Sequence, residues 1–188
     1  MNPTQIRPRR LWMQPAWLAL LSCMAISPML SEGATLEPVA PAITSSNWLN
    51  HPMVLEVRVL YKDIEDAVSV KALSKTSASR EESWGVTAEY QAWSDKSGQI
   101  RKFVYASGTE DSAITVSQYH DSQGVLRFAF VTAGAVNGTQ MQYRVYFTAT
   151  GKRFWEDVRQ IKGPGYFFPD SVPEEWLSRV PAAQLRTR

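Results

Sequence analysis

The 188-residue chain is 44% hydrophobic and 20% charged, which suits a single globular domain with an apolar core of its own. Its formal charge of +2 resides in the first 33 residues, where three arginines face one glutamate, leaving 17 cations balanced by 17 anions in the remainder. A folded part without cationic excess lacks the charge that drives phosphate neutralisation, which argues against nucleic acid as a partner.

Residues 1–33 read as a secretory signal peptide. Arg7, Arg9 and Arg10 form the basic start, residues 11–30 are largely apolar, and Ser31 and Gly33 supply the small side chains of a cleavage site after Gly33. The alternative is an uncleaved membrane anchor, because about 20 apolar residues suffice to span a bilayer. Gln14, Pro15 and Pro28 interrupt the stretch and favour the signal. The sole cysteine, Cys23, lies inside this leader, so the mature domain has no disulfide to rely on. Leu20-Leu21-Ser22-Cys23 resembles the lipobox of bacterial lipoproteins, which implies Cys23 as a lipidation site. Leu21 and the apolar Met24-Ala25-Ile26 depart from that pattern, and an inert hydrophobe is the other reading.

Residues 34–50 are rich in proline and polar side chains and are expected to form a flexible linker. A single α+β domain is placed over 51–169. Pro52 suits a first helical position, with Asn50 or His51 as cap. Met53, Val54, Val57, Leu60, Tyr61, Ile64, Ala67 and Val68 then recur at helical spacing. The β-branched residues keep a strand over 54–61 as the alternative, but the longer period continues past Tyr61 and favours a helix. The polar stretch 74–83 reads as a loop.

Three similar phrases follow: WSDKSGQIRKF (93–103), YHDSQGVLRF (119–128) and FTATGKRF (147–154), aligned on Gly98, Gly124 and Gly151. Their spacing matches one hairpin and one return turn per copy, with glycine where a short loop needs a positive φ. Return turns are expected at 107–111 and at Val136-Asn137-Gly138-Thr139, the latter as a type I′ turn. The intervening segments alternate as strands do, giving six: 84–91, 100–107, 113–119, 125–135, 139–147 and 152–161. Leu126, Phe128 and Phe130 are expected to share one face of their strand, and Met141, Tyr143, Val145 and Phe147 one face of the next. The predicted fold is α+β, an N-terminal helix packed on a curved six-stranded antiparallel meander sheet. Residues 170–188 are expected to hold a short helix over 172–177, capped by Ser171 with Glu174 and Glu175 in its first turn, and a tail from Pro181.

Tyr119, Asp121, Gly124 and Leu126 in the middle copy resemble the tyrosine-aspartate type of hairpin repeat found in exported bacterial proteins. Only that copy carries all four positions and the repeat here is longer, so the resemblance covers local hairpin chemistry. It implies an exported bacterial β protein and no particular activity.

Catalytic and metal-binding patterns are sparse. The two histidines, His51 and His120, stand in separate segments, and no cysteine lies outside the leader. Glu110 and Asp111 sit at the far end of a strand from His120 and Asp121, about 20 Å away at ~3.3 Å per residue. No metal or cofactor is expected from these residues, and His120 reads as a solvated turn residue. Glu156 and Asp157 point to opposite faces of a strand, so they cannot act as a carboxylate pair. GPGYFFP (163–169) lacks the residues of a phosphate loop and reads as a turn presenting Tyr166, Phe167 and Phe168 to the sheet.

Aromatic residues remain in excess of what one helix would cover. Tyr105, Phe128, Phe130, Tyr143 and Trp155 are therefore the candidate floor of a groove on the open sheet face. Arg101, Arg127 and Arg153, each just after a repeat glycine, are candidate grips for an anionic partner. The expected function is an exported, periplasmic or secreted, non-catalytic binding or accessory protein of the cell envelope. Its partner would be a hydrophobic or extended ligand or an envelope protein, with the membrane touched only through the signal segment or a lipid anchor. The alternatives are an envelope hydrolase using Glu110, His120 or Asp121, and a structural protein anchored by lipid on Cys23.

Overall fold

The computed structural model describes residues 41–82 and 85–179. The stretch read as a signal peptide, the expected cleavage site, Cys23, the start of the expected linker, Trp84 and the tail from residue 180 lie outside these.

Seven strands form one antiparallel sheet in which every neighbour in space is a neighbour in sequence: β1 (Ser74–Glu81), β2 (Thr87–Ser94), β3 (Ile100–Gly108), β4 (Ser112–His120), β5 (Leu126–Ala135), β6 (Gln140–Phe147) and β7 (Arg153–Lys162). The long helix α1 (Pro52–Ser69) precedes it and the single turn α2 (Glu174–Leu177) follows. The meander is thus as expected, but with one strand more. β1 occupies the stretch expected to be a loop. Its sequence, SKTSASRE, buries little, and only Ala78 packs against the core. It is a strand because its backbone pairs with β2 over its whole length, from Ser74 against Ser94 to Glu81 against Thr87. Polar and charged side chains suit a sheet edge that must not recruit another chain.

The repeat phrase has a specific structural meaning. In each copy an Asp or Thr starts a hairpin loop whose fourth residue is a glycine at positive φ: Asp95 to Gly98 (φ 83°), Asp121 to Gly124 (φ 81°) and Thr148 to Gly151 (φ 78°). The glycine amide donates to the carbonyl of the first residue in all three. The first side chain accepts from the amides two and four residues on, through Asp95 Oδ1, Asp121 Oδ1 and Thr148 Oγ1. The β5–β6 loop repeats the backbone pattern, Gly138 N donating to Ala135 O. Gly138 alone has positive φ there (85°), so the Asn137-Gly138 pair belongs to this loop type and not to type I′.

A β-bulge follows each repeat glycine. Trp93 pairs with Lys102 and Ser94 with Ile100, leaving Arg101 extra, and the same slip leaves Arg127 extra in β5 and Phe154 in β7. A bulge changes which face the next residue takes. Leu126 consequently joins the core on one side of the sheet, whereas Phe128 joins the core on the other. The expectation that Leu126 shares a face with Phe128 and Phe130 fails for this reason. Met141, Tyr143, Val145 and Phe147 do share a face, the one with Leu126.

Both faces are covered. On the first, α1 lays Val54, Val57 and Ile64 against Tyr119, Phe128 and Tyr146. His51 caps this helix, its Nδ1 accepting from Met53 N at 3.3 Å, and Pro52 occupies the first helical position. Part of the stretch assigned to a flexible linker joins the same core, because Trp48, in a 3-10 turn (Trp48–Asn50), is buried and stacks on Trp155 at 6.1 Å. The second face is crossed by a strap, residues 163–179, running from the end of β7 to Arg179 beside Glu82. Tyr143 Oη donates to Pro169 O at 2.9 Å and Gln118 Nε2 to Leu177 O at 3.0 Å, while Val172 and Leu177 are buried. Ser171 does not cap α2, which begins at Glu174; its hydroxyl donates to Glu156 instead. Phe167, expected to face the sheet, is fully exposed at 101%, while Tyr166 packs on Phe168.

Candidate functional site: a cleft between the helix and strands β5 and β6

Two ion pairs fasten α1 to the sheet. Glu56 accepts from Arg127 Nη2 at 2.6 Å, and Glu65 accepts at 2.6 Å from both Lys102 Nζ and the Tyr119 hydroxyl. Between these anchors the helix turns Val57, Arg58 and Tyr61 toward β5 and β6, a spacing that shares one face. The sheet answers with Phe128 and Phe130 from β5 and Tyr146 and Arg144 from β6, residues directly opposite one another in register. These seven side chains enclose a cleft of about 210 Å³ that is open to one side.

The inner part is aromatic. The Tyr61 ring meets Phe128 edge-on at 5.5 Å and Tyr119 at 4.9 Å, and Phe128 lies 5.0 Å from Tyr146. Burial pushes both the Tyr61 and the Tyr146 hydroxyls up, with Glu65 adding to the effect at Tyr61, so both remain neutral donors. The rim is cationic. Arg144 lies 5.2 Å over Phe130, donates to Gln142 Oε1 at 2.9 Å and pairs with Asp157 at 3.4 Å. Arg58 donates to Leu49 O at 3.0 Å and sits 5.5 Å over the Trp48 ring. Arg159 approaches that ring at 6.0 Å and shares Asp157, at 2.8 Å. The seven lining residues include no carboxylate and no imidazole, and offer apolar contact, phenol hydroxyls and guanidinium charge.

Of the aromatic residues expected to form a groove, Phe128 and Phe130 line this cleft, and Trp155 stands beside it against Trp48. Tyr105 and Tyr143 lie on the opposite face beneath the strap, where Tyr105 donates to Glu82 and carries Arg179 at 3.7 Å over its ring. The five rings therefore do not share one surface. The arginines expected to grip an anion are held within the protein. Arg101 donates to His120 O at 3.2 Å and faces Asp95, Arg127 is engaged by Glu56, Asp121 and Phe147 O, and Arg153 by Glu156, Glu174 and Val172 O. Arg153 precedes the bulge in its strand and turns to the strap, so it is not the counterpart of the other two.

No protein-family model, curated protein or solved structure matches the chain.

The titratable candidates are dispersed. His120 is buried, 7% exposed, at the end of β4, and not solvated as its turn-like setting suggested. It pairs with Leu126 across the bulge, and its Nδ1 has no hydrogen-bond partner among the described residues. Asp111 is taken up by Thr109 and Tyr166 at the far end of β4, and Asp121 by its own loop. Among the described residues no group of three His, Cys, Asp or Glu could hold a metal, and no helix is long and apolar enough to cross a membrane.

The sequence does not single out Arg58, Arg144 or Tyr146, and marks Tyr61 only as part of the apolar face of the helix. A signal for Arg144 exists: it is a charged residue between Tyr143 and Val145, so alternation sends it to the other face of its strand. Nothing in the sequence pairs it with Arg58, since that juxtaposition depends on where α1 lands.

Proposed function

We propose that the chain is an exported, non-catalytic binding or accessory protein of the cell envelope, taking a hydrophobic ligand or the apolar side chain of an envelope partner in the cleft between α1 and β5–β6. The observation that carries this reading is the cleft itself, floored by Phe128, Phe130 and Tyr146 and closed on one side by Tyr61. Phe128 and Tyr146 also serve the core under α1, but Phe130 and Tyr61 remain partly exposed beside them, so the recess offers an aromatic wall that an apolar group can contact. The basic, then apolar, then small-residue leader supports the exported location.

Titration of the purified protein with the neutral fluorophore N-phenyl-1-naphthylamine tests the reading. Saturable enhancement is expected, together with its loss in Phe130→Asp, a half-buried position, in a variant whose circular dichroism is required to match that of the parent. Non-saturable fluorescence, or binding unchanged in a folded Phe130→Asp variant, overturns it.

A further inference from the structure

Two cations on a recess that buries rings would ordinarily each be matched by a carboxylate. Here they are not. Arg58, Arg144 and Arg159 surround the cleft and the adjoining Trp48, and Asp157 is the one carboxylate paired with any of them among the described residues. Among the described residues Arg58 has uncharged partners alone, the Leu49 carbonyl, the Trp48 ring and the Tyr146 hydroxyl. Glu65 is close enough to influence Tyr61 but is committed to Lys102 and Tyr119. Arg159 is half exposed at 51% and is screened by water, whereas Asp157 is 15% exposed and offsets Arg144 beside it. Asp157 is shared, at 3.4 Å from Arg144 and 2.8 Å from Arg159, and the guanidinium left without a carboxylate among the described residues is that of Arg58, next to aromatic walls.

We propose that the cleft's occupant is an amphipathic carboxylate, with its anionic group between Arg58 and Arg144 and its hydrocarbon body against Tyr61, Phe128, Phe130 and Tyr146. This rests on the binding reading above and adds the charge and class of the ligand. One excess cation calls for a monoanion, and the planar guanidinium fork matches the two oxygens of a carboxylate. A neutral lipid would leave Arg58 uncompensated, and a phosphate dianion would carry more charge than the recess holds in excess.

Displacement of bound N-phenyl-1-naphthylamine by decanoate, decanol and decyl phosphate tests this. Decanoate is expected to displace the probe at a concentration about tenfold lower than decanol, as a charge-assisted hydrogen bond warrants. In Arg58→Gln that preference falls below about twofold, and Arg58→Lys restores part of it, because charge without the fork is kept. Equal displacement by decanoate and decanol, or a preference untouched in Arg58→Gln, overturns the charge assignment while leaving the cleft in place. Decyl phosphate displacing at lower concentration than decanoate overturns the carboxylate. Failure of the probe to bind the unmodified protein removes the cleft reading and this inference together.

Discussion

Arg127 bends back across the loop that precedes it to meet Asp121 at 3.6 Å, and one repeat earlier Arg101 does the same to Asp95 at 3.7 Å. In both cases the arginine is the bulged residue, and its Nε donates to the carbonyl just before the next loop, His120 O or Phe147 O. The bulge turns the guanidinium toward its own loop, the aspartate holds that loop's amides, and the carbonyl bond ties one hairpin to the next. The sequence repeat therefore encodes a fastening between hairpins. At Asp95 the Ser97 hydroxyl, opposed by burial and aided by the Gln99 and Ser97 amides, holds the carboxyl below its ordinary range.

Asp121→Ala removes the one oxygen that accepts from two loop amides and one of the partners of a buried arginine, so a loss of about 1–3 kcal/mol is expected in urea denaturation. Asp121→Thr should recover part of it, because Thr148 holds the third loop through a hydroxyl in the same position. Equal losses in the two variants would mean that the loop amides contribute nothing.

The strap leads to a second expectation. Leu177 is buried against the sheet and its carbonyl accepts from Gln118, which is itself 2% exposed. Leu177→Ala should cost about 2–5 kcal/mol, the range for a truncated core leucine. Phe167→Ser, ten residues away in the same segment and wholly exposed, should stay within about 0.5 kcal/mol of the parent. Chemical denaturation of both variants checks this, and a neutral Leu177→Ala would mean that the strap is not part of the core.

The meander was legible because glycine spacing and period-two alternation are local signals. What escaped had non-local causes. β1 carries no alternation and is a strand only through its pairing with β2. The one-residue slips at Arg101, Arg127 and Phe154 leave no mark in composition, yet they decide that Leu126 and Phe128 part company and that Arg127 faces the helix. The strap's few apolar residues lack any period, so the sheet face holding Tyr105 and Tyr143 read as open. The cleft joins residues from α1 to others far along the chain in β6, a meeting fixed by the Glu56–Arg127 and Glu65–Lys102 pairs and by no pattern in either segment.

Glu65 offers a separable test of helix docking. It accepts from Lys102, whose side chain is 13% exposed, and from Tyr119, whose hydroxyl is pushed up by burial first and by Glu65 second. Glu65→Gln keeps an acceptor but leaves the lysine without its counter-charge, and a loss of about 1–3 kcal/mol is expected. In Glu65→Gln combined with Lys102→Met the ammonium is gone, so the double variant should be more stable than the sum of the single losses predicts. Additive losses across this cycle would show that the pair is not coupled.

His120 supplies the pH dependence. Burial pushes its imidazole down to about 4 from the ordinary 6.5, with Arg101 pushing the same way and Asp121 opposing. The folded protein therefore keeps the ring neutral where the unfolded chain protonates it. Between those two values the unfolded state binds more protons, so stability falls as pH drops through 6.5 and levels off below about 4. The contribution lost is about 2 kcal/mol at pH 5 and about 3 kcal/mol at the plateau. His120→Leu substitutes a side chain that suits its partner Leu126 and cannot titrate. Carboxylates titrate in the lower part of the same window, so the readout is the difference between the two proteins. Urea midpoints measured from neutral pH to pH 4 should converge toward neutrality and separate with acid, the variant holding its stability longer. Parallel curves would mean that the buried ring is protonated as easily in the fold as outside it.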